Sequence, residues 1–244
     1  MPAAADTSQR ASLEVAFSPD KLGASTTVEF GFHVQSSTAG RVPSPLTNID
    51  LDLPAGISLA TSSLGLAVCQ QEVLLEQGPA GCHANARIGA GTARGEIAVA
   101  GEIFTESATV DALLGPPAHE NEQVMFYVAG AEPLSAELIF PGELLLTASP
   151  RYSGSLDTSI PLVRAWSAGP YIALTSFSST LGPLGLTYYK HIHGKIVPFR
   201  PRGIAVPGRC PRGGFPFAAT FAFLDGSHAS AQAAVPCPRA GTRG

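Results

Sequence analysis

The strongest constraint on this chain is a two-residue rhythm of apolar side chains that recurs from one end to the other. Leu13, Val15 and Phe17 alternate with Ser12, Glu14 and Ala16. Val28, Phe30, Phe32 and Val34 alternate with Glu29, Gly31 and His33, and Ile49, Leu51 and Leu53 with Asn48, Asp50 and Asp52. Phe217, Ala219, Phe221 and Phe223 repeat the pattern near the C-terminus. Side chains of a strand point to opposite faces in turn, so each run predicts a half-buried strand. Further strands are expected at about 93–100, 103–113, 123–130, 134–140, 143–148, 155–162, 170–179, 185–197 and 227–235. The 26 glycines and 21 prolines supply the turns between them. Asp225-Gly226 reads as a two-residue hairpin turn. The segment Gln70–Gly78 is the one short helix, with good helix formers and a terminal glycine.

Alternating strands without strand–helix repeats predict an all-β, antiparallel β-sandwich, immunoglobulin-like or jelly-roll-like, with one short helix near 70–78. Residues 1–10 are small and polar and are expected to be disordered. Residues 11–240 then form a single sandwich unit. The alternative is two halves, 11–150 and 151–240, divided at Ser149–Gly154.

Four cysteines fall as two local pairs, Cys69 with Cys82 and Cys210 with Cys237. An even count at such spacing predicts two disulfides, and hence an oxidising compartment outside the cytoplasm; the alternative is a cytoplasmic protein with four free thiols. The first pair brackets the helix, and the second lies beyond the two ends of the last hairpin. Met1–Asp6 lacks the basic and apolar regions of a signal peptide, and Ala3-Ala4-Ala5 fits the remnant of a cleavage site. The longest uncharged run, Ala165–Tyr189, is broken by Pro170, Pro183 and several glycines, so no transmembrane helix is expected.

Several segments carry a resemblance: Phe17–Thr27, Pro45–Leu51, Arg209–Phe217, and the ending from Asp225-Gly226 to Val235-Pro236-Cys237-Pro238. They resemble a family of exported actinobacterial proteins of uncharacterised function, over nearly the whole chain and both cysteine pairs. The resemblance implies export and disulfides, and no activity, ligand or catalytic residue.

Catalytic signatures are absent. There is no Gly-x-Ser-x-Gly elbow, phosphate loop, dinucleotide fingerprint, EF-hand loop or zinc CxxC pair. Ser227-His228 reads as a turn. His191 and His193 would share one face of a strand, which suits a metal only with a third ligand. Asp50 and Asp52 share a strand face and need a partner strand to become a calcium or glycosidase site. Trp166, Tyr171, Tyr188 and Tyr189 are candidates for a sugar-binding platform, with core packing as the simpler role. Tyr188 and Tyr189 must face opposite ways. No catalytic residue, metal site or cofactor is therefore assigned.

Charge is unevenly placed. Only 14% of residues are charged and the net charge is −4. Between Arg94 and Arg151 there are nine acids and no Lys or Arg. Residues 188–224 hold no acid but carry Lys190, His191, His193, Lys195, Arg200, Arg202, Arg209 and Arg212. These eight are the candidate anion-binding residues. The blocks could neutralise one another within the fold, meet between molecules, or leave the basic segment open to an anionic partner. The expectation is a non-catalytic, secreted or envelope-associated binding or adhesion module for an anionic envelope polymer. Self-association as a structural envelope protein is the alternative, and an exported glycan hydrolase comes third. Nucleic acid is disfavoured by export and by the net negative charge.

Overall fold

The computed structural model describes residues 9–59, 67–130, 136–147, 149–182, 187–200 and 203–238. In chain order the strands are β1 (Gln9–Ser18), β2 (Ser25–Ser36), β3 (Leu46–Pro54), β4 (Ser58–Leu59), β5 (Arg87–Val99), β6 (Glu102–Ala118), β7 (Asn121–Gly130) and β8 (Glu137–Leu146). They continue with β9 (Tyr152–Ser159), β10 (Ala173–Leu181), β11 (Tyr188–Ile192), β12 (Lys195–Phe199), β13 (Ile204–Ala205), β14 (Phe215–Phe223) and β15 (His228–Val235). One α-helix, α1 (Gln71–Gln77), sits where the sequence places it. The all-β, antiparallel expectation holds. Among the described residues no helix is long and apolar enough to cross a membrane.

The two layers belong to one sheet that bends round on itself. Setting aside the short β4 and β13, the order is β15-β14-β3-β9-β8-β7-β6-β5-β10-β2-β1. β1 then lies alongside β15, so the sheet nearly closes into a barrel. Strands from before and after residue 150 interleave, with β3 between β14 and β9 and β10 between β5 and β2. Every paired neighbour is antiparallel. This ring has an odd number of strands, so β1 and β15 run in the same direction and the alternation cannot be completed. No ladder pairs the two among the described residues, and side chains of β1 reach β14 and the β14–β15 turn instead. Phe17 packs edge-on against Phe215 and Phe217 of β14 at centroid distances of 5.4 and 6.1 Å. Gln9 Nε2 donates to Asp225 Oδ2 across the same seam at 3.4 Å.

The predicted alternation explains the interior. Phe30 and Phe32 of β2 and Phe177 of β10 stack together, Phe177 meets Phe126 of β7 from the far wall, and Phe32 meets Phe221 of β14. Side chains fill the barrel, leaving small apolar voids of about 50 and 30 Å³. Two inward glycines of β5 permit a close approach to β10. A Cβ at Gly91 would land on the Ser178 carbonyl oxygen and 2.7 Å from Ser179 Cα.

A second, smaller core lies outside the barrel. Cys69 and Cys82 are disulfide-bonded, with Cα atoms 5.4 Å apart, and bracket α1. Leu74 of α1 and Cys69 pack with Leu113, Met125 and Tyr127 on the outer face of β6 and β7. β7 is therefore buried on both faces from Val124 to Val128. The other disulfide, Cys210–Cys237, has Cα atoms 5.7 Å apart and pins the open end of the β14–β15 hairpin.

Four expectations are corrected. β1 begins at Gln9, before the disordered segment expected to run to residue 10. The segment expected as one strand over 185–197 is a separate two-stranded hairpin, β11–β12, turning at His193-Gly194 where both residues have positive φ. The strands expected at 134–140 and 143–148 form one strand through Pro141, because pairing with β9 starts only at Gly142 and leaves that side of Pro141 at an edge. The β14–β15 turn is one residue longer than a two-residue Asp-Gly loop. Gly226 N donates to Phe223 O and Phe223 N to Ser227 O, with Gly226 at φ 80° as the left-handed residue after a tight turn.

Candidate functional site

Eight candidate residues lie on a single connection, the chain between the end of β10 and the start of β14. β10 runs down the barrel and β14 runs up, so both ends of this connection sit at the same end of the barrel. The described residues 187–200 and 203–214 are held there, at the same end as the β1–β2, β6–β7 and β8–β9 turns. β13 anchors the middle of it, pairing Ile204 with Thr26 and with Leu59, while Val206 N donates to Ala24 O at 2.9 Å.

The connection divides the basic residues into separate places. Lys190, His191, His193 and Lys195 are all exposed on the β11–β12 hairpin or its turn. His193 lies in the turn at φ 48°, so the two imidazoles do not share a strand face as expected. Arg200 is exposed just past β12. Arg202 lies outside the described residues. Arg209 and Arg212 sit on the loop that enters β14, next to Cys210.

Arg212 lines an open groove of about 740 Å³ between that loop and the β8–β9 turn. The far wall carries Arg151, which the sequence reading did not single out. The floor is Gly213, Gly214 and the strand residues Gln232–Ala234. Arg151 is fixed by its surroundings. Its amide donates to Ser149 Oγ, its carbonyl accepts from Ala55 N, and its guanidinium lies 5.5 Å from the Tyr152 ring centre. Two arginines from different turns line this groove, a basic surface that suits phosphate or carboxylate groups of an extended chain. The sequence signal for Arg151 was its place in the Pro/Gly-rich segment 149–154, which reads as a boundary and not as a site.

The acids of β3, β8 and β9 form a different surface. Asp50 and Asp52 do share the outer face of β3, and the register sets Asp157 of β9 opposite Asp50 and Glu143 of β8 next to Asp157. Asn48 Nδ2 donates to Asp157 Oδ1 at 2.9 Å, and Asn121 Nδ2 to Glu143 Oε1 at 3.0 Å. Burial, then the neighbouring Asp50 charge, raises the Asp52 carboxyl above its usual range. Among the described residues no group of His, Cys, Asp and Glu is arranged to hold a metal. The ion pair Arg87–Asp111, at 2.7 Å, and the hydrogen-bond contact between His119 Nδ1 and Glu143 Oε1, at 3.3 Å, lie on β5 to β8 and do not draw on the 188–212 segment.

A shallow groove of about 440 Å³ crosses the outer face of β1, β2, β10 and β5. Gly31, with no side chain, forms its floor between Glu14 and Ser178. Glu14, Glu29, His33, Ser12 and Ser176 line it. Ser227 is a turn residue, its hydroxyl and amide both donating to Asp225 Oδ1 at 2.6 and 2.9 Å.

The aromatic candidates do not converge. Tyr188 is buried, its hydroxyl donates to Arg87 O at 2.7 Å, and burial pushes it up to about 12. Tyr189 faces solvent, as its neighbour's burial requires. Trp166 and Tyr171 lie at the opposite end of the barrel, in the β9–β10 connection, where Arg164 stacks 4.1 Å over the Tyr171 ring.

No family model matches the chain, and neither a curated protein nor a solved structure is similar to it.

Proposed function

We propose that the protein is an exported, non-catalytic binding module of the cell envelope that grips an anionic polymer at the basic end of its barrel. The observation that carries this reading is the Arg151–Arg212 groove, open to solvent, with Arg209 on the same loop as Arg212. The acid-free connection extends that basic surface through Arg200 and the hairpin cations Lys190, His191, His193 and Lys195, and Arg202, outside the described residues, belongs to the same proposal. Two disulfides support a location in an oxidising compartment. Kinship with exported actinobacterial proteins, marked by segments 17–27, 45–51 and 209–217, is part of the same proposal.

The test is co-sedimentation of the oxidised protein with envelope polymer from its source, at low salt and at roughly 0.5 M salt, where the Debye length is about 4–5 Å. Binding at low salt, lost at high salt and weakened in an Arg151→Ser/Arg212→Ser variant of unchanged melting temperature, is the expected result. Equal binding by that variant would sink the reading.

One observation favours a second reading, an exported glycan hydrolase. Glu14 and Glu29 sit diagonally across β1 and β2 in the polar groove, a placement of about 7–8 Å between Cα atoms. Paired carboxylates in a groove are the machinery of glycoside hydrolysis. Release of reducing sugar from envelope glycan, abolished by Glu14→Gln or Glu29→Gln, would support it. No release by the native protein would remove it.

A further inference from the structure

The β11–β12 hairpin stands apart from the barrel. It is a two-stranded sheet of its own, with both faces uncovered beyond its root. Such a ribbon is marginal in water unless something holds it. Here the root is held firmly. Tyr188 is buried with its hydroxyl on Arg87 O, and Asn85 Nδ2 donates to Tyr189 O at 3.2 Å. Beyond that anchor the strand runs about 13–16 Å to the turn at His193-Gly194.

The side chains past the anchor do not suit a water-facing ribbon. Tyr189, Ile192 and Ile196 are 59%, 40% and 65% exposed. They lie among Lys190, Lys195, His191 and His193, with no acid anywhere in 188–224. The register pairs Tyr189 with Pro198, His191 with Ile196, and Ile192 with Lys195. Apolar groups therefore project from both faces, and a lysine is present on the face that carries Ile192.

We propose that this hairpin is an interfacial anchor for an anionic lipid surface. Apolar side chains enter the boundary between headgroups and acyl chains, about 5–10 Å deep, and lysines reach back to the phosphates. A hairpin of this length spans that depth from its anchor. A second copy of the chain fits less well. Its hairpin would bring lysines against lysines, and Pro198 removes an amide donor that strand-to-strand pairing on β12 would use. The inference rests on the hairpin; its cations are shared with the extended basic surface but Ile192 and Ile196 are not, so it is tested separately from the Arg151–Arg212 groove.

The experiment is flotation of the full oxidised chain with vesicles of phosphatidylcholine alone, and with roughly 30 mol% phosphatidylglycerol added. The protein is expected to float with the anionic vesicles only. Ile192→Ser/Ile196→Ser should weaken that partition by about tenfold or more, with an unchanged melting temperature and unchanged polymer co-sedimentation. Tyr189→Trp should show a blue-shifted emission when anionic vesicles are added. Flotation that is equal with both vesicle types, or equal for the serine variant and the native chain, would overturn the proposal. So would absence of flotation together with a native dimer that the serine variant dissolves, which would assign the hairpin to a second copy.

Discussion

Two aspartates, one on each side of the β3–β14 pairing, respond to acid in opposite directions. At Asp225, burial raises the carboxyl, but hydrogen bonds from the Ser227 hydroxyl and amide, Gln9 and Ser44 outweigh it and hold the group below its usual range. The folded chain thus favours the ionised form, so this stabilisation is present at neutral pH and is lost as pH falls through the lowered value. Asp225→Ala should cost about 1 kcal/mol at pH 7, since the site is partly solvated, and nothing once both states are protonated. At Asp52 the shift is upward, so the fold disfavours the charge, and stability falls as pH rises through the raised value. Asp52→Asn should therefore stabilise the protein at pH 7 and be neutral in strong acid. Denaturant unfolding of both variants at neutral and acid pH checks the pair of signs. If both variants shift stability the same way at pH 7, the assigned environments are wrong.

Elements add constraints that no single residue shows. Because β5 presses against β10 at Gly91, Gly91→Ala should lower stability by about 1–3 kcal/mol, as an added methyl does in a filled core. Gly208→Ala, where a Cβ meets nothing within 4 Å, should leave the melting temperature within a degree or so. The β14–β15 hairpin depends on its staple in a different way. Cys210→Ser should cost about 3–4 kcal/mol by releasing the closed loop of the unfolded chain, and a reductant should lower the native melting temperature similarly. An unchanged melting temperature on reduction would refute the structural role of that bond.

These elements also mark the limits of reading the sequence. β2 and β14 were legible because one face of each meets only the core and the other only water. The short helix was legible because a cysteine pair and a terminal glycine bound it. β7 was legible as a strand, but Met125 and Tyr127 look like outward positions and are buried by α1. That cover depends on a disulfide excursion packing far from its own place in the chain. The hairpin at 188–199 reads as one strand because His193-Gly194 is a weak turn signal without its backbone angles. Arg212 could be picked from an acid-free stretch, whereas its partner across the groove, Arg151, belongs to a different turn and carries no local mark.

At the scale of the molecule, the described parts of the acid-free connection lie at one end of a nearly closed barrel, and the ring is completed by a seam where β1 and β15 run parallel. β1 is laddered to β2 on one side and lies alongside β15 on the other, with no ladder to it among the described residues. Amide hydrogens along β1 therefore belong to two populations that alternate residue by residue. Those directed at β2 should exchange with deuterium on the timescale of global unfolding, and those directed at β15 orders of magnitude sooner. Uniform protection along Gln9–Ser18 would mean that the seam is zipped by backbone bonds after all. An alternating record would make the first strand a hinged stave, the part of the wall that a force on the N-terminus strips away first while the other strands keep their ladders.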